Sequence, residues 1–174
     1  MSPPRVVVDG RVPERDRDPA TSRPLNARPR DRFGRPLAYG LPDELGDRRE
    51  PEEVVASVGE ALAEVVRLFD QERFFEAHEF LEWIWKADEV AALDRAFWKG
   101  VTQVAVGCAH TQRGNARGAV TLLERAQGYM APYPSPYDGV DARALAAGAG
   151  RVVAQVREHG PSPDLDFPRF PLAG

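Results

Sequence analysis

Residues 97–108, FWKGVTQVAVGC, constrain this chain more than any other stretch. Phe97, Trp98, Val101, Val104, Ala105, Val106 and Cys108 leave almost no polar side around a 3.6-residue turn. A helix apolar nearly all round needs neighbours on most sides, which predicts the central rod of a bundle, from about 90 to 112. No run alternates apolar and polar residues as a half-buried strand does. The expected fold is therefore all-α, a compact antiparallel bundle of four to five helices.

The segments that should surround this rod carry their own signals. PEEVVASVGEALAEVVRLFDQ opens with Pro51, followed by Glu52 and Glu53 at the positive end of a helix dipole. Its Val54, Val58, Leu62, Val65, Leu68 and Phe69 recur at three and four, predicting one amphipathic helix. A second helix is predicted over 73–87. Gly114 should end the central helix and Asn115 should cap the next, which runs through AVTLLERAQGYM. APYPSPYDG reads as a loop, and Asp141 as the cap of a last, weaker helix. Ala77 aligns with Ala119 and Leu81 with Leu123, a faint repeat read as similar packing.

The helical domain is expected over 51–160, between an extended Pro/Arg-rich arm, 1–50, and an extended C-terminal tail, 161–174. The arm carries eleven Arg against nine acidic residues, about +2, leaving about −6 for the rest. A segment so poor in apolar clusters cannot offset its own ordering entropy. Its Phe33, Leu37, Tyr39 and Leu41 are candidate anchors onto a folded body. A net charge of −4 argues against a general nucleic-acid binder. The single cysteine, Cys108, allows no internal disulfide and suits a reducing compartment. With no apolar run of membrane-spanning length, no membrane role is expected, and the cytoplasm is the expected location.

The candidate chemistry lies on two helices. With Phe74 at zero and 100° per residue, Phe74, Ala77, Leu81, Ile84 and Trp85 form the expected core face. His78 falls at about 40° and Glu82 at about 80°, pointing inward, whereas Glu76, Glu79, Lys86 and Trp83 fall on the solvated side. Phe80 lies at the edge beside Trp83, a pair expected to meet the arm or another copy in a homo-oligomer. On the central helix Lys99, Gln103 and His110 share one narrow polar stripe, flanked by Gly100 and Gly107, where a neighbour can approach closely. His78, Glu82, Gln103 and His110 are accordingly expected to gather into one polar cluster lining a small pocket.

Three chemistries fit such a cluster. It can be a hydrogen-bonded network that fixes helix register. It can hold a divalent metal ion on His78, Glu82 and His110. It can also pair His110 and Glu82 as base and acid. The string HEFLE lacks the second histidine of the H-E-x-x-H zinc-protease motif. Cys108 reads as a core thiol. GNARG reads as a helix junction whose free amides can meet an anion.

FFEAHEFLEWIWK and FWKGVTQVAVGCAHTQRGNARGAVTLLERA together resemble an uncharacterised, mostly bacterial all-helical family. Its pattern runs R-x-F-E-A-H-E-x-x-E-x-x-W, then G-x-x-Q, a later His and R-G-N-x-x-G-A. Arg73, Glu76, His78, Glu79, Glu82, Trp85, Gly100, Gln103, His110, Asn115, Gly118 and Ala119 match, within about residues 55–128. The resemblance implies a compact bundle and no assigned activity. The functional expectation is a non-catalytic binding or scaffold module. The alternatives are a metal-assisted hydrolase using His78, Glu82 and His110, or a regulator that applies its Arg-rich arm to an acidic surface.

Overall fold

The computed structural model describes residues 29–38, 40–45 and 49–174, and the chain falls into two units, Met1–Arg48 and Arg49–Gly174. In the first, the described residues fold back on themselves around an Asx turn, where a plainly extended run was expected. The Asp31 carboxylate accepts the N–H groups of Phe33 and Arg35 at 2.9 and 2.8 Å, and Gly34 takes φ 78°. Asp43 and Glu44 then accept the N–H groups of Arg30 and Arg32. Of the four expected anchors, Leu41 is exposed, Phe33 and Leu37 are half-buried, and Tyr39 lies outside the described residues.

The second unit is all-helical: α1 (Pro51–Val54), α2 (Val58–Asp70), α3 (Phe74–Lys86), α4 (Arg95–Gln112), α5 (Ala116–Met130) and α6 (Ala142–His159). Among the described residues there are only isolated β-bridges, and no helix is long and apolar enough to cross a membrane. The helix predicted from Pro51 is broken at Val55. Ser57 caps α2 by accepting the Glu60 N–H at 3.2 Å, and Glu60 reaches back to the Ala56 N–H at 2.8 Å. That S-x-x-E signature is legible in SVGE and outranks the apolar periodicity running across it. The central helix also starts later than predicted, because Ala92–Asp94 is a 3-10 turn that leaves Leu93 exposed.

α4 is the rod the sequence predicted. Phe97, Val101, Val104, Ala105 and Cys108 are fully buried, and α4 packs along both α3 and α5. Gly100 and Gly107 make the α5 contact close: a Cβ on Gly107 would sit 2.5 Å from Leu123 Cγ, and one on Gly100 2.8 Å from Tyr129 Cβ. Gly114, at φ 80°, and the Asn115 side chain, accepting the Gly118 N–H at 2.9 Å, form the α4–α5 junction. Asp141 caps α6 in the same way on Ala144.

The C-terminal stretch is extended but integral to the core. Phe167 and Phe170 are buried, their rings 5.1 Å from Phe74 and Phe69 respectively. The Gln155 amide exchanges two 2.8 Å hydrogen bonds with the backbone of Asp166. The aromatic corner at the start of α4 is secured by Trp98 donating to Asp138 at 3.2 Å and Tyr133 donating to the Leu93 carbonyl at 2.7 Å. There the Tyr137 hydroxyl donates to Asp94, which pushes the phenol pKa up to about 12.

Candidate functional site

The buried arc of α3 is rotated from the one the sequence suggested. Glu76, expected toward solvent, and Phe80, expected at the edge against the arm or another copy, are both buried, because α1 and α2 pack against this helix. Arg73 neutralises Glu76 through a two-pronged ion pair, with Nε donating to Oε1 at 2.8 Å. Gln71 bridges onward, accepting from Arg67 and Arg73 at 3.3 Å each. Beside it the backbone turns through Glu72 at φ 54°, and the buried Gln112 of α4 donates to the Glu72 carbonyl at 2.8 Å. This charged corner is the buried acid site that wheel reasoning missed. The four-residue run from Arg73 to Glu76 is its sequence signal.

The rotation swings His78 and Glu82 to the rim. Glu82 keeps a 40% exposed side chain and pairs with Lys86 one turn along. The His78 ring bonds through Nδ1 to the Phe75 carbonyl on its own helix, so Nδ1 carries a proton. His110 is bound instead to Asn115: the capping oxygen of Asn115 takes the Gly118 N–H, so its amide nitrogen donates to His110 Nδ1 at 3.0 Å. Its proton is therefore on Nε2. Burial, then the charge of Arg113, lowers the His110 pKa and keeps the ring neutral at pH 7. His78, Glu82 and His110 thus each have a separate local partner. Among the described residues no three His, Cys, Asp or Glu side chains are grouped to hold a metal ion.

What α3, α4 and α5 do build is a groove. Lys99, Gln103, Val106, His110 and Arg113 follow at spacings of four, three, four and three along α4, and all five are half-buried. They lie within about 80° of one another on the helix circumference, so they form a floor. α3 supplies one wall with Phe75, His78 and Trp85, and α5 the other with Tyr129. Lys99 spans the floor, its Nζ 5.1 Å from the Tyr129 ring centroid and 5.9 Å from that of Trp85. Arg113 stacks at 5.2 Å over Phe75, whose ring lies 4.9 Å from His78. Between them the Gln103 Oε1 is buried without a hydrogen-bond partner.

Each of these contacts has a physical reason. Aromatic faces attract the two cations. Asn115 positions His110 because the junction at Gly114 brings the start of α5 back beside the last turn of α4. The Cys108 thiol lies on the opposite, fully buried side, where burial pushes its pKa far above the ordinary range, consistent with a core thiol.

Residues 62–122 match DUF309, a domain of unknown function. The matched segment runs from α2 into α5 and contains every groove residue named above except Tyr129. It stops short of α6 and of the C-terminal phenylalanines. No curated protein matches the chain.

Proposed function

We propose that this chain is a non-catalytic binding module whose partner lies along the α4 stripe, between α3 and α5. The observation that carries this reading is the unpartnered Gln103 Oε1 at the middle of the floor. A buried acceptor left unsatisfied costs about 1–3 kcal/mol, a cost that a purely structural residue has no reason to carry. A donor from a bound partner, met by the Gln103 side chain turning toward it, would remove that cost. The neighbouring groups are arranged for recognition: two cations fixed on aromatic rings and a His110 donor. None of them forms a nucleophile–base pair with another, which favours binding over catalysis.

Site-specific photocrosslinking in cells tests this. A benzoylphenylalanine at Val106, on the floor, should give a discrete adduct that is lost when Lys99→Glu is added. The same probe at Ala154, exposed on α6, should not. Equal labelling from both positions would contradict the proposal.

A further inference from the structure

We infer that this chain associates head to tail with a second copy of itself, the outer face of α5 and α6 meeting the α1 end of the next copy. The inference is independent of the groove reading and starts from how charge is divided in the helical unit. Residues 50–94 hold thirteen acids against three bases, whereas residues 95–160 hold eight bases against four acids. The helices pack in chain order, α2 on α3, α3 on α4, α4 on α5 and α5 on α6. α3 and α4 therefore separate the acidic α1 and α2 from the basic α5 and α6.

On the basic side, Glu124 paired with Arg157, and Gln127 beside Gly150, set α5 and α6 antiparallel with their outer faces side by side. Arg117 and Arg125 on α5 and Arg151 on α6 are exposed there. So is Arg169, which follows the Pro168 seated against Gly148 of α6. Among the described residues these four arginines have no carboxylate partner, unlike Arg157, while Arg143 lies in the field of Asp141. Thr121, Gly128, Ala147 and Ala154 are exposed between them, small enough for another surface to approach. The nearby acids Glu158 and Asp166 lie toward the last two turns of α6, past Arg151.

At the other end, Glu60 accepts the Ala56 N–H at 2.8 Å and Glu89 the Val58 N–H at 3.2 Å. Both carboxylates are thereby gathered at the break between α1 and α2. Glu53, Glu60, Asp88 and Glu89 are exposed, and among the described residues none is paired with a lysine or arginine. Asp88 and Glu89 rim a cleft of about 470 Å³ with Ala56 and the half-buried Trp83. An arginine entering it meets two carboxylates and an indole. Lys86, also at the cleft, is matched by Glu82, and Glu52 has its own interaction within the chain. The chain thus supplies both halves of a complementary contact, which one copy cannot close on itself and two copies can. Because two different surfaces meet, copies add until a ring closes. Exposed ion pairs contribute little singly, so the contact depends on several at once and weakens with salt.

Sedimentation velocity on the full chain tests this. In about 0.1 M salt the mean mass is expected to rise with concentration. In about 1 M salt, where the Debye length is about 3 Å, it should return to that of one chain. Arg125→Glu with Arg151→Glu should weaken the association by about tenfold or more, as should Asp88→Lys with Glu89→Lys. Mixed in equal amounts, the two variants should associate again, because the intact acidic end of the first meets the intact arginines of the second. That recovery also shows that both variants fold. A crosslink from Ala154 in this contact joins the chain to itself and survives Lys99→Glu, which separates it from the groove adduct. An association that strengthens with salt, reversed variants that associate as wild type does, or no recovery on mixing would each overturn the inference. So would a chain that stays single in low salt, whether or not a short DNA duplex then binds its arginines.

Discussion

Replacing Gly107 with Ala isolates the close approach of α4 and α5, on which the floor of the groove depends. The added Cβ would lie 2.5 Å from Leu123 Cγ, 2.7 Å from its Cδ2 and 3.4 Å from its backbone nitrogen. Cγ is the branch point of the fully buried Leu123, so the clash cannot be relieved by turning a side-chain tip. Overpacking of this kind costs about 1–3 kcal/mol, and contact with a branch atom favours the upper half. Ala regains about 1 kcal/mol of helix propensity over Gly. The net is a loss of about 1–2 kcal/mol, or roughly 4–8 °C in melting temperature for a unit of this size. Gly128 on α5 supplies the matched control, since a Cβ there meets nothing within 4 Å. Gly128→Ala should therefore raise stability by up to about 1 kcal/mol. Circular dichroism melts of both variants beside wild type decide the matter. A Gly107→Ala protein at least as stable as wild type would refute the reasoning.

Two further perturbations probe other parts of the account. Phe170→Ala should lower stability by about 3–5 kcal/mol in urea unfolding, as for a core phenylalanine, while an unchanged midpoint would mean the C-terminal stretch is not part of the core. The His110 pKa is lowered in the folded chain, so its contribution to stability is complete above the unfolded value near 6.5 and falls as pH drops through the lower folded value. Unfolding free energies measured between pH 7.5 and 5.5 should therefore decline with pH in wild type and decline less in His110→Gln.

The fold was legible where one signal acted alone. The all-round apolarity of α4, Gly114 and the caps at Asn115 and Asp141 were each readable from a few adjacent residues. The break before α2 was also written in the sequence, in Ser57 and Glu60, but the apolar repeat from Val54 to Val58 masked it. The rotation of α3 was not readable from its own residues. An amphipathic wheel assigns the largest apolar cluster to the core, whereas α1 and α2 cover the side bearing Glu76 and Phe80. Burying Glu76 is tolerable only because Arg73 pairs with it. That error carried His78 and Glu82 inward in the prediction. On α4, which has few polar residues to mislead the wheel, Lys99, Gln103 and His110 are all half-buried. The fixing of Lys99 and Arg113 on aromatic rings depends on which helices lie alongside, which periodicity does not encode.

The thermal stability of Gln103→Leu tests the central claim most directly. If Gln103 belongs to a binding surface and its Oε1 has no partner within the chain, a leucine of similar size removes an unsatisfied acceptor from the floor. The account predicts a protein more stable by about 1 kcal/mol, melting roughly 4 °C higher, that no longer gives the Val106 crosslink. A variant that melts below wild type would contradict it, because Gln103 would then be a hydrogen-bonded strut of the bundle.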